Sequence, residues 1–245
     1  MRVKPIPIRI LLSILAQSHA STNPHTKAIG DMIALAFFFL LRPGEYTSSS
    51  TTTPFTLGDT QLFIGRTCID LAQAPDHSIL SATFASLTFT TQKNGVRGEV
   101  IGLGRSGRYF ACPVLAIANR VLHLRNCQAP PTTPLASYFD GTHLQMVTSA
   151  DITSTLKLAV RILGPACGFQ AADVPARSLR AAGAMALLCA DVDTNIIHLI
   201  GRWQSDAMLR YLHVQAEPVM RDFSRRMLDS GDFVLHPNAT VPFSD

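Results

Sequence analysis

At 245 residues, with 47% hydrophobic and 16% charged side chains, the chain is long enough to bury a sizeable core and too apolar for intrinsic disorder. Its net charge of +4 permits a nucleic-acid partner without requiring one. The five cysteines (Cys68, Cys112, Cys127, Cys167 and Cys189) are scattered and include no C-x-x-C pair, which argues against a zinc site or a disulfide framework and for reduced, buried thiols inside a cell.

Residues 1–20 have a basic start, an apolar run and small residues at the end, but Pro5, Pro7 and Arg9 interrupt the pattern of a signal peptide. The spacing instead predicts a helix over 8–17. A second helix is expected from the Asn23-Pro24 turn to Leu41, apolar all round towards its end and therefore central in the core. Its run 33–41 is too short to span a bilayer, which takes about 20 apolar residues, so no membrane partner is expected. Pro43 and Gly44 are read as the helix stop, and the Ser/Thr run 47–53 as a loop.

The period then changes. Residues 61–64, 86–91 and 99–103 alternate and are rich in β-branched residues, as strands are. Asn94-Gly95 is a hairpin turn signal between the last two. Helical spacing returns over 112–126, Pro130, Pro131 and Pro134 mark a linker, and further helices are predicted over 149–163, 174–188 and 194–200. Ser205 is a suitable N-cap for a helix carrying Tyr211, and a last helix is expected over 217–228, before a polar tail at 231–245. The fold class is α+β, mostly helical, with a small antiparallel β-sheet.

Arg177 and Arg180 stand three residues apart, on one face of the helix expected to open near Val174, so both guanidiniums are expected to point at one anion near its N-terminus. The chain continues to Gly201-Arg202-Trp203 and, after eight residues, Tyr211. Upstream, Leu41-Arg42-Pro43-Gly44-Glu45 follows the buried helix, and Lys93 occupies the hairpin turn as the only lysine between Lys27 and Lys157.

These four elements, in this order, resemble the tyrosine recombinase (phage integrase) family, over residues 6–228. The segments SLRAAGAMAL and GRWQSDAMLRYL are most similar to the recombinases of eukaryotic mobile elements, the DIRS-like and Crypton-like branch. The resemblance implies a recombinase catalytic domain at residues 1–230 without the family's N-terminal core-binding domain, and an intracellular, nuclear protein of DNA integration or transposition. It further implies double-stranded DNA as partner, a tetramer on DNA with the C-terminal helix packed on the next subunit, and no metal or other cofactor. Tyr211 is then the nucleophile that forms a 3′-phosphotyrosyl link. Arg42 and Arg180 hold the non-bridging oxygens, and Lys93 protonates the leaving 5′-oxygen.

Two positions depart from the family. Arg177 stands where a histidine is usual, and Arg cannot serve as a base near neutral pH. Arg202 follows Gly201 directly where the family has His or Trp, so either Arg202 or Trp203 answers to the phosphate donor at that point. Glu45 is expected to orient a neighbouring arginine. His198, His143 and His213 are read as structural, and the glycine-rich run 102–107 as a turn lacking the context of a phosphate loop. Three other readings stay open: a decayed relic that only binds DNA, a type IB topoisomerase, and an unrelated helical binding protein whose motifs match by chance.

Overall fold

The structure is a computed structural model that describes residues 5–47, 53–90, 98–167, 169–190, 192–203 and 222–229. Within these residues the chain is α+β, mostly helical, with a small antiparallel sheet. Helix α1 (Ile8–Ala20) buries Ile8, Ile10, Leu11, Ile14 and Leu15 against α2 (Pro24–Phe38). The apolar run at the N-terminus is thus core. Asn23 caps α2 by accepting from the Thr26 N–H at 3.0 Å, with Pro24 at the first helical position.

Residues 32–38 of α2 are all buried, and the helix lies between α1, α5 and α7. That is the surrounding an all-round apolar helix requires. It stops earlier than Pro43 and by another device. Leu40 turns into the left-handed region (φ 51°), and the Leu41 N–H reaches back to the Ala36 carbonyl at 3.0 Å. This satisfies a carbonyl that the helix end would leave orphaned. Pro43 then opens the single-turn α3 (Pro43–Tyr46) instead of closing α2.

Four antiparallel strands follow in the order β2-β1-β3-β4: β1 (Thr60–Ile64), β2 (Thr67–Cys68), β3 (Phe84–Phe89) and β4 (Glu99–Gly104). Phe89 pairs with Glu99 at the last described rung of the β3–β4 hairpin. The expected Asn94-Gly95 turn lies outside the described residues. Leu62, Ala85, Leu87, Phe89, Ile101 and Leu103 are buried, and α5 (Pro113–Asn126) packs on the sheet as well as on α2. The short helix α4 (Asp76–Leu80), strand β2 and a two-stranded hairpin, β5 (Ser137–Phe139) with β6 (Leu144–Met146), were not expected from the sequence. All four are too short to show a period.

The proline-rich stretch is tied to the sheet end, not free. Leu57 and Gly58 donate to the carbonyls of Thr133 and Pro131, and Leu135 donates to Phe55. Helix α6 (Ser149–Leu163) starts in a capping box between Thr148 and Asp151. Helix α7 (Ser178–Cys189) begins four residues later than its apolar pattern suggests. Pro175 disfavours helical backbone at Val174, and a turn from Pro175 to Ser178 intervenes.

Helix α8 (Thr194–Gly201) is capped by Asp193, which accepts from Asn195 N–H at 2.7 Å. The last described helix, Phe223–Asp229, buries Phe223, Met227 and Leu228 against α7 and β4 of its own chain. Ser224 there donates to the Gly104 carbonyl at 2.5 Å. Its apolar face packs on its own chain among the described residues. No helix among the described residues is long and apolar enough to cross a membrane.

Candidate active site

The turn that ends α2 projects the next residues across the end of the helix. Arg42 stands at the N-cap of α3 and Glu45 in its first turn. The Glu45 carboxylate accepts from the Arg42 main-chain N–H at 2.7 Å and from Arg42 Nη1 at 3.1 Å. Glu45 is buried, whereas 28% of the Arg42 side chain remains exposed. Arg42 is thus anchored by its main chain and by Nη1, and part of its side chain meets solvent.

Helix α7 crosses α2 at closest approach where Gly183 sits. A methyl group there would stand 2.1 Å from the Phe37 carbonyl oxygen and 2.4 Å from Leu40 Cδ2. Only glycine allows the two backbones so close. One turn earlier on α7, Arg180 is therefore brought beside the end of α2. Its Nη2 donates to the Gly201 carbonyl, and its guanidinium carbon lies 4.5 Å from the centroid of the Trp203 ring.

The end of α8 supplies the third part. The Trp203 N–H bonds to the His198 carbonyl at 3.1 Å and the Arg202 N–H to Leu199 at 3.0 Å. Arg202 itself is left-handed, at φ 55° and ψ 41°. This is a Schellman turn with arginine where glycine is usual. It folds the Trp203 ring back over Gly201, where a Cβ would meet ring atoms at 1.9 Å. The same turn sends the Arg202 side chain inward, so the ambiguity between Arg202 and Trp203 has a geometric answer. Trp203, half-buried, faces Arg180, and Arg202 is a buried residue beneath it.

The Arg202 guanidinium bridges the ends of two helices. Nη1 donates to the carbonyls of Phe39 (3.2 Å) and Ile200 (2.8 Å), and Nη2 to Leu40 (3.2 Å) and to Glu45 Oε2 (2.9 Å). Its planar face lies 3.7 Å from the Phe89 ring centroid. The Arg202 carbonyl in turn accepts from Arg42 Nη2 at 3.3 Å. Arg42 and Arg202 thus pair with one carboxylate, Glu45, and Arg180 lies within reach of its charge.

That imbalance sets the electrostatics. Burial, then the charges of Arg42 and Arg202, push Arg180 down to about 9, with Glu45 opposing. Burial likewise lowers Arg202 to about 10, against the raising effect of Glu45. Both stay protonated at neutral pH. Arg180 Nη1 is buried with no hydrogen-bond partner among the described residues. A buried, unpaired donor on a charged group is costly, and an anion at that point relieves it. The arrangement is suited to a phosphate oxygen held between Arg180 and the exposed part of the Arg42 side chain.

The remaining candidates fall as follows. Arg177 is exposed at the N-cap of α7, and no hydrogen bond joins it to the cluster; the inward turn of Arg180 separates the pair that the helical spacing suggested. Lys93 and Tyr211 lie outside the described residues, as do Ser205 and His213. His198 is exposed, with its ring 5.8 Å from that of Trp203, and His143 sits in the turn between β5 and β6.

The glycine-rich run 102–107 is structural. Gly102 packs on the Phe84 ring, Arg105 donates to Ala82 O at 2.7 Å, and Ser106 Oγ donates to Ala111 O at 2.6 Å. Cys112 is buried as expected, but Cys68 and Cys189 are exposed. Among the described residues no group of three or more His, Cys, Asp or Glu side chains is placed to hold a metal ion.

The part of the site that sequence reasoning missed is its lower layer: the carbonyls of Phe39, Leu40 and Ile200, and the ring of Phe89. Main-chain acceptors leave no trace in composition. The only available signal was an arginine directly after a helix end, where a cation meets exposed carbonyls favourably. Compared with protein-family models, curated proteins and solved structures, the chain has no significant match to any of them.

Proposed function

We propose that this chain is the catalytic domain of a tyrosine recombinase acting on double-stranded DNA, similar to those of eukaryotic mobile elements. The observation that carries the reading is the convergence of Arg42, Arg180 and Trp203 on one half-buried, positively charged corner. These residues, 138 and 23 positions apart in the chain, were singled out by motif alone, and one of them holds an unpartnered buried donor.

In this reading the Tyr211 hydroxyl gives up its proton to solvent water and its oxygen attacks a backbone phosphorus. The bond to the 5′-oxygen breaks, that oxygen takes a proton from Lys93, and DNA stays attached through a 3′-phosphotyrosyl bond. Arg42 and Arg180 carry the charge that builds on the non-bridging oxygens, the dominant requirement in phosphoryl transfer. The Trp203 indole N–H is a further donor. Rejoining is the same displacement run backwards from a free 5′-hydroxyl. Working on paired sites, the protein acts as a tetramer.

A second reading, a DNA-binding relic without cleavage, is favoured by Arg177, a permanent cation exposed beside α7 where the family has a titrating histidine.

The test is a nicked suicide duplex carrying the terminal repeats of the parent element, resolved on a denaturing gel. The expected result is a covalent protein–DNA adduct with the wild type and none with Tyr211→Phe. An adduct that survives Tyr211→Phe rules out the assigned nucleophile. DNA binding without any adduct selects the relic, and relaxation of a plasmid without a second site selects a topoisomerase.

A further inference from the structure

We propose that Arg202 is the positioning residue of this site, holding Arg42, Arg180 and Trp203 in one arrangement without itself reaching the phosphate. The inference rests on the reading of the corner as a phosphate site.

Three observations converge on it. The first is conformational. Arg202 occupies the left-handed closing position of a Schellman turn (φ 55°), where a side chain is strained and glycine is favoured. That conformation is what lays Trp203 over Gly201 and against Arg180. An arginine kept at a glycine position implies that its side chain has work to do there.

The second is the fork of the guanidinium. Two nitrogens donate to four oxygens: the carbonyls of Phe39, Leu40 and Ile200, and Glu45 Oε2. These belong to the end of α2, the end of α8 and the first turn of α3. A single planar cation therefore ties the segment that presents Arg42 to the end of α8, which presents Trp203 and the Gly201 carbonyl that accepts from Arg180 on α7. Lysine, a point charge without a fork, cannot span them.

The third is burial. Only 2% of the Arg202 side chain is exposed, against 28% for Arg42, and the Phe89 ring covers its face. Its main-chain carbonyl, not its guanidinium, touches the exposed layer, by accepting from Arg42 Nη2. Arg202 is thus one layer below the surface that meets a ligand.

The chain contains a single tryptophan, Trp203, so its fluorescence reads the arrangement directly. The experiment compares wild type, Arg202→Gly and Arg202→Lys by acrylamide quenching of Trp203 and by the rate of adduct formation at saturating suicide duplex. Far-UV circular dichroism gives the folded fraction. Arg202→Gly keeps the left-handed turn and removes the fork; Arg202→Lys keeps the charge opposite Glu45.

The expected result is quenching at least twofold stronger in both variants. Adduct formation per folded molecule should fall at least tenfold at saturation, with the duplex concentration at half-saturation changed less than threefold. If Arg202→Gly does not fold, the same two readouts on Arg202→Lys decide. Wild-type quenching and adduct rate per folded molecule in the variants, even with a lower melting temperature, would overturn the proposal and leave Arg202 a purely structural residue. If the wild type itself forms no adduct, the cleavage reading fails. The quenching comparison then still decides whether Arg202 holds Trp203.

Discussion

Arg180 is the residue at which the chemistry of the site is most exposed to measurement. Its guanidinium is desolvated, lies near two other arginines, and has one nitrogen without a partner among the described residues. Because its folded pKa, about 9, lies below its ordinary value, the folded chain binds fewer protons than the unfolded chain from about 9 up to the usual arginine range. Stability is therefore raised by alkali in that window, and at neutral pH the charge is a standing cost. An anion that offsets the cost binds only the folded state. Inorganic phosphate should raise the melting temperature above that in sodium chloride of equal ionic strength. The stabilisation approaches about 2.7 kcal/mol at a hundred times the dissociation constant. Arg180→Gln should abolish this difference in a thermal-shift titration, while the melt in chloride alone moves little or upward. A phosphate effect of equal size in Arg180→Gln would place the anion elsewhere. Arg42, Arg180 and Trp203 were legible as candidates because their types and order match a known chemistry. The inward course of Arg202 was not, because a left-handed arginine is set by contacts 160 residues away.

Among the elements, the crossing of α2 and α7 decides whether the site exists. Gly183 lets α7 sit on the last turn of α2, and Arg180 is carried into place by that contact. Gly183→Ala introduces a methyl group against a main-chain oxygen, which cannot swing aside as a side chain would. The expected cost is about 1–3 kcal/mol, measured by urea unfolding. The loss of phosphate response should exceed that seen in a destabilised variant remote from the crossing, such as Leu124→Ala in α5. An unchanged stability in Gly183→Ala would show that the helices are farther apart than described. The helices themselves were largely legible: α1, α2, α5, α6 and α8 follow their apolar spacing and their caps. The ends that differ do so for local reasons, the left-handed Leu40 ahead of Pro43 and the Pro175 turn ahead of α7. Elements of two to five residues, such as β2, α4 and the β5–β6 hairpin, have too little length for a period, and β2 and the β5–β6 hairpin are held by pairing with strands only a few residues away.

For the molecule as a whole, a second buried charge cluster, separate from the arginine corner, governs the response to pH. Asp31 on α2 lies 3.8 Å from Arg120 on α5 and accepts from Asn119 at 3.3 Å, while Arg120 is held by the Leu135 and Ser137 carbonyls. Burial outweighs Arg120, Asn119 and Lys27 and raises the Asp31 carboxyl to about 7. Between its ordinary value of 3.8 and about 7 the folded chain binds more protons than the unfolded one. The contribution is thus complete below about 4 and lost as pH rises through about 7. His123 has the opposite sign. Burial and Arg120 lower it to about 4, so its contribution is lost as pH falls from 6.5 through about 4. Urea melts from pH 5 to 8 should show Asp31→Asn gaining on the wild type as pH rises, by at most about 1.4 kcal/mol per pH unit. A constant difference between the two proteins would remove Asp31 from the account. What the sequence determined by itself was local: which longer segments are helices or strands, and that α2 is central. Periodicity and caps act over a few residues and are written in the chain. Only the tertiary structure decided that Arg42 and Arg202 pair with Glu45, that Arg202 is buried while Trp203 faces Arg180, and that Arg177 is exposed at the start of α7. Those outcomes depend on main-chain carbonyls, a close helix crossing and desolvation, which arise when distant segments pack and have no counterpart in local sequence.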